Sequence, residues 1–383
     1  MPNTTGFKFN NGGTTTDFGD FFVRRDLFST GNLFTCGNDE FGGLGNSTVD
    51  TPVSTAVQIG SLTDWKIVGG GYRNSSAIKI DGTLWSWGRN HNGQLGDGTT
   101  VDKSSPIQVG SLTDWHDLGY GRVHVGAIKD DNTLWVWGDN AYGQLGDDTA
   151  VDKSSPVQVG SLSDWAQVAC GTYHTAALKT DGTLWTWGYN LYGQIGDGTT
   201  NDTSSPIQVG SLTDWVFVGC AHYNTMGIKT DGTLWVWGSN ANGQLGDGTT
   251  NDISSPVQLT SFTDWKQVTG GLNFITGVRH NGTLWTAGRN ALGQLGDGTI
   301  EDKSTFLQIG TSTDWKKIAA GYSNIVAIKV DGTLWGWGQN AHGQIGDGTS
   351  GNNRSLPTQA GSASNWKNVG YANFTSLAVT YAD

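Results

Sequence analysis

A block of about fifty residues recurs along this chain, and the recurrence decides what it can fold into. The string Asp-Gly-Thr-Leu-Trp begins at residues 81, 181, 231 and 331, with Asp-Asn-Thr-Leu-Trp at 131 and Asn-Gly-Thr-Leu-Trp at 281. Gly-Gln-Leu-Gly-Asp-Gly-Thr, or a close variant, follows at 93, 143, 193, 243, 293 and 343. A worn copy near the start keeps Leu33, Phe34, Cys36 and Gly37, then Gly42, Leu44 and Gly45, which makes seven. The other half of each unit opens on Trp65, Trp115, Trp165, Trp215, Trp265, Trp315 and Trp366, each after Asp except the last, after Asn365. The chain therefore enters in a glycine-rich half and leaves in a tryptophan-led half. One unit is completed only by joining the two, with Leu33–Gly37 filling the strand slot due after Trp366. A ring closed in this way leaves no unpaired strand at its join.

Four short strands fit in one unit. Asp-Trp-Lys-Ile-Val (64–68) reads as the first. Ser-Ser-Ala-Ile-Lys-Ile (75–80) and Thr-Leu-Trp-Ser-Trp-Gly (83–88) read as a hairpin across Asp81-Gly82, where glycine accepts positive φ. Pro-Ile-Gln-Val-Gly (106–110) reads as a short last strand. The expected fold is all-β: a seven-bladed β-propeller of four-stranded blades over residues 30–383, closed by the N- and C-terminal segments. At 383 residues the chain is long for one core, but repeats bury surface only against neighbours. Residues 1–29 lie outside the repeat and read as an N-terminal attachment segment.

Charge and cysteine usage exclude several classes. With 34 acidic against 22 basic residues the net charge is −12, which suits neither nucleic acid nor an anionic membrane surface. Cys36, Cys170 and Cys220 are odd in number and lack Cys-x-x-Cys spacing, so no disulfide framework is expected. Neither a signal peptide nor a membrane-inserting run is read, and no basic tail precedes the repeats beyond Lys8, Arg24 and Arg25.

The repeat positions account for all 18 tryptophans, so core packing explains them. The Gly-Asp-Gly-Thr-Thr-Val-Asp turn at 96–102 offers Asp97 and Asp102 but no bidentate acid at calcium-loop spacing, and reads as a hydrogen-bonded turn. No metal or cofactor is expected. His124 and His174 share a slot with Asn74, Asn224 and Asn324, which marks a hydrogen-bonding position rather than a catalytic one. No nucleophile, base and acid recur or converge, so an enzyme is not expected.

Residues that differ between blades on the same loops are free to serve a partner. One such ring precedes or follows the fixed loop asparagine and supplies Arg89, Tyr142, Tyr189, Tyr192, Arg289 and His342. A second follows the glycine-bearing strand and supplies Tyr72, Arg73, Arg122, Tyr173, Tyr223, Phe274, Tyr322 and Phe374. Tyrosine and arginine are frequent anchors of protein interfaces.

Trp-Gly-x-Asn-x-x-Gly-Gln-Leu-Gly-x-Gly, then Ser-Pro-x-Gln-Val, then Ala-x-Lys-x-Asp-Gly-Thr-Leu-Trp-x-Trp-Gly, resembles the regulator of chromosome condensation repeat, over roughly residues 30–383. The resemblance implies a seven-bladed propeller closed between its ends. It leaves function open, because such propellers include a small-GTPase exchange factor, a plant ultraviolet-B photoreceptor, secreted β-lactamase inhibitors, and bacterial and phage proteins. The photoreceptor's Gly-Trp-Arg-His-Thr motif is here Gly71-Tyr72-Arg73-Asn74-Ser75, without the tryptophan, which argues against light sensing. The near-identical repeats and the lead-in segment, which resembles those of phage virion proteins, point to a non-enzymatic structural or binding protein of the bacterial or phage type. The expectation is a virion component (tail, fibre or other appendage) displaying a propeller for assembly or host recognition, located in the virion. The alternative is a soluble, cytoplasmic inhibitor or adaptor, with a small-GTPase exchange factor ranked behind both. Expected partners are proteins, either other virion proteins or a host surface receptor.

Overall fold

The computed structural model describes residues 31–372 and 374–381. The proposed attachment segment, 1–29, lies outside them. Seven four-stranded antiparallel sheets form the blades of a β-propeller. Six are contiguous in sequence. The first contains Trp65–Gly70, Asn74–Lys79, Leu84–Gly88 and Lys103–Gln108, from the axis outward. The seventh joins the two ends of the ring. Trp366–Ala372 and Thr375–Thr380 form its inner half, and Leu33–Gly37 and Val53–Gln58 its outer half. Leu33 pairs with Val379 and Thr35 with Leu377, as the truncated unit required.

Local chemistry explains the strands. Gly82 takes φ 78° in the hairpin turn. The Asp81 carboxylate accepts from Thr83 N–H at 3.0 Å and from its hydroxyl at 2.7 Å. That hydroxyl in turn accepts from the Trp85 indole at 2.9 Å. Asn74–Lys79 is buried along its whole length, since a blade lies on either side. The outermost strand begins at Lys103, three residues before Pro106. Proline is tolerated there because the missing N–H faces no further strand.

Packing between blades supplies the core. One apolar cluster joins Leu33, Leu377 and Val379 of the seventh blade to Trp65, Ala77 and Trp87 of the first. Trp187, fully buried, donates its indole N–H at 2.9 Å to the Gln144 carbonyl of the preceding blade. Gly146 there takes φ +65°, and a Cβ would sit 2.6 Å from that indole nitrogen. Ala287 stands where the other contiguous blades carry this tryptophan. Phe306, at the outer-strand position held by proline in the other contiguous blades, packs 5.7 Å from Trp265 and fills the space. Lysines of the second strand add a repeated electrostatic tie. Lys79 Nζ lies 4.4 and 5.0 Å from the Trp85 and Trp65 ring centres and 3.6 Å from Asp64.

Candidate protein-binding face

Two loops per blade open at one end of the ring. One links the innermost strand to the second, and the other follows the third strand. Their backbones are bonded to each other: Arg89 N–H donates to Arg73 O at 2.9 Å, Tyr189 to Tyr173 at 2.8 Å, and Arg289 to Asn273 at 2.7 Å. The two rings of variable residues therefore share one face. Strand parity requires it, because the first-to-second and third-to-fourth connections of an antiparallel four-stranded blade fall at the same end.

The loop scaffold is built by the fixed asparagine. Buried Asn90 accepts from Leu95 N–H through its side-chain oxygen at 2.9 Å, and its own N–H donates to Asp102 at 2.7 Å. Its amide also donates to Asp97 at 3.1 Å. Burial works to raise the Asp97 carboxyl, yet bonds from Thr99 and Asn90 and nearby Lys103 hold it below its ordinary value. The Asp97 and Asp102 carboxylates are thus committed to the turn.

Five tyrosines from three consecutive blades touch on this face. Tyr142 lies 5.0 Å from Tyr173 and 4.8 Å from Tyr189, centre to centre. Tyr189 and Tyr192 each approach Tyr223, at 6.2 and 5.2 Å. Burial, followed by the phenols of Tyr192, Tyr223 and Tyr142, pushes the Tyr189 hydroxyl up to about 12. It therefore stays a protonated donor. A second group is cationic. Arg73, Arg89 and Arg122 lie 4.7, 5.2 and 4.8 Å from the Tyr72 ring centre. Phe374 extends this second group, 6.3 Å from Tyr72, 5.7 Å from Tyr322 and 5.9 Å from His342. Arg289 stands on the same ring, and no carboxylate among the described residues pairs with it.

Phe274 does not belong to the face. It is 0 % exposed and occupies the buried slot of His124, His174 and Asn224. The loop position in that blade is held by Asn273, at φ 63°. Counting from the strand placed Phe274 one residue too far out. His124 Nε2 meets Thr175 Oγ1 at 2.9 Å, and His174 Nε2 meets Thr225 Oγ1 at 3.0 Å, each across to the next blade. The slot is therefore a tie between blades. Phe41 is an addition that the worn first copy concealed. It lies 5.3 Å from His91, with Arg73 and Arg89 stacked at 5.5 and 5.7 Å, while neighbouring Glu40 pairs with Arg73.

All seven innermost strands line an axial cavity of about 310 Å³ that opens onto this face beside Arg122, Thr172 and His222.

The family model described as the regulator of chromosome condensation (RCC1) repeat matches residues 81–128, 131–178, 181–228, 231–277, 281–328 and 331–379. The chain belongs to this family. Its worn first copy lies outside the matched segments, yet folds as the outer half of the closing blade. Among relatives, the ultraviolet-B receptor UVR8 of Arabidopsis thaliana is 33 % identical over 78 residues, 20 % of this chain and 18 % of that receptor. The chain thus matches less than a fifth of the receptor's length. Among solved structures, human WBSCR16 superposes with a TM-score of 0.80 at 21 % identity, over 92 % of this chain and 99 % of that one. Saccharomyces cerevisiae Prp20p, studied for its binding to Gsp1p and histones, gives 0.83 at 18 %, covering 96 % and 94 %. Yeast RCC1 (Prp20), solved bound to Kap60, gives 0.81 at 17 %, covering 100 % and 96 %. These likenesses establish the propeller.

Proposed function

We propose that this chain is a non-catalytic propeller that holds a protein partner on its tyrosine- and arginine-bearing face. The carrying observation is that seven of its ten tyrosines lie on that one end, five of them in mutual contact. Tyrosine offers a large rigid surface and a hydroxyl at low entropic cost, which suits the centre of a protein interface. Yeast Prp20, described in two solved structures with Gsp1p and histones and with Kap60, supports a binding role. Commitment of His124 and His174 to ties between blades supports a role without acid–base chemistry.

The virion setting rests on the near-identical repeats and on residues 1–29, which lie outside the described residues, and no relative named above is a virion protein. A displayed head on a phage appendage remains our reading of that setting, tested by mass spectrometry of purified particles.

The face itself is tested by Tyr189→Ala with Tyr192→Ala. Loss of a central aromatic pair is expected to weaken partner binding at least about thirtyfold, about 2 kcal/mol or more. Leu112→Ser, in the turn that leads into the innermost strand from the opposite end, is expected to leave binding unchanged. Full binding by the tyrosine variant, or loss in the Leu112 variant, sinks the assignment.

A further inference from the structure

One cluster on the face is not explained by aromatic contact. Arg122, Thr172 and His222 occupy the same loop position in three consecutive blades and border the mouth of the axial cavity. Their backbones are fixed by bonds between blades. Arg122 N–H donates to Gly171 O at 3.1 Å, Thr172 to His222 O at 3.0 Å, and His222 to Gly271 O at 3.4 Å. The position lies close to the axis: the His222 and Tyr322 rings, two blades apart, approach within 5.1 Å.

Each of the three side chains carries a buried polar atom without a partner: Arg122 Nε, Thr172 Oγ1 and His222 Nδ1. Thr172 is 1 % and His222 9 % exposed. Buried polar atoms are costly to leave unpaired, and these three belong to side chains that line one end of the cavity. Arg122 rests on the Tyr72 ring and meets no carboxylate within ion-pair distance among the described residues. Burial first, then Arg122 and His174, push the His222 imidazole down to about 3, so it stays neutral and adds no second charge. Arg73 is paired with Glu40 and neither it nor Arg89 lines the cavity, so the site offers one positive charge, one hydroxyl and one ring nitrogen. That complement matches a single negative charge with two oxygens, and a planar guanidinium fits a carboxylate in particular. A dianion would be held poorly by one cation in a chain of net charge −12.

We propose that Arg122, Thr172 and His222 form a carboxylate site at the mouth of the axial cavity, which receives an acidic side chain of the protein partner. This specifies the partner's chemistry and rests on the face being its docking surface. The test needs no partner. The whole chain is titrated with sodium acetate and, separately, with a capped Gly-Glu-Gly peptide, against sodium chloride at matched ionic strength, while the His222 imidazole signals are followed by NMR. Both carboxylates are expected to shift these signals saturably, the chloride control is not, and Arg122→Gln should weaken the response at least tenfold. Thr172→Val, nearly isosteric, should weaken it less while keeping the fold. Shifts that fail to saturate, or that persist unchanged in Arg122→Gln, overturn the site. Saturation by acetate with none by the peptide overturns the partner's side chain as its ligand. Because the tyrosine substitutions are read by partner binding and this titration is not, failure of one leaves the other standing.

Discussion

At the scale of single residues, the repeat separates side chains that hold the ring from those left free. His124 and His174 belong to the first kind, and their burial has a consequence in acid. Burial first, with His174 adding to it for His124, depresses their imidazoles to about 3 and about 4, against 6.5 when unfolded. Below pH 6.5 the unfolded chain therefore takes up protons that the folded chain refuses. Stability is whole above that pH and falls as pH drops toward about 4, by up to about 1.4 kcal/mol per pH unit for each histidine. Asparagine fills the same slot in three other blades. The double variant His124→Asn/His174→Asn is therefore expected to show a flatter stability profile between pH 6.5 and 4, measured by urea unfolding. A profile as steep as the parent's would assign the acid sensitivity to other groups.

At the scale of the element, the closing blade is built from parts that are distant in sequence but equivalent in place. Leu33 and Leu84 stand in the same slot, both 0 % exposed, one in the joined blade and one in a continuous blade. Each change to alanine is expected to cost about 2–5 kcal/mol in chemical unfolding. A much smaller loss at Leu33 would mean that the joined blade is held less firmly than the packing indicates. Strand order and closure were legible because Asp-Gly turns, glycines and tryptophans repeat at one spacing. Strand ends were less so: Pro106 drew attention away from Lys103, where pairing with Gly88 begins. The rings of variable loop residues were legible as rings. Their place on one face follows from strand parity, while the bonds that tie the loops together, such as Tyr189 to Tyr173, are displayed by no linear pattern. Phe274 was misplaced because one residue of register separates a loop from a buried strand, and Phe41 escaped notice because its copy is eroded.

For the molecule as a whole, a closed ring of seven equivalent blades has no privileged place to begin. Tyr381 N–H donates to Asn365 O at 2.9 Å, as Ile80 does to Asp64 at the same distance, and Asn32 follows the gap as Thr83 follows Asp81-Gly82. Joining Tyr381 to Asn32 through Asp-Gly and opening the chain between Gly60 and Ser61 would make every blade contiguous. The rearranged protein is expected to fold to the same ring with stability within about 2 kcal/mol of the parent, judged by circular dichroism and urea unfolding. Failure to fold would show that closure by separated strands is required, not merely tolerated. The natural arrangement also imposes a timetable. Thr375 reaches back across 337 residues to bond Asn38. At roughly 5–20 residues per second, the ribosome needs about 17–70 s to cover that distance. Throughout that interval Leu33–Gly37 waits on the nascent chain without its inner neighbour, and the seventh blade assembles last, from the oldest and the youngest strands.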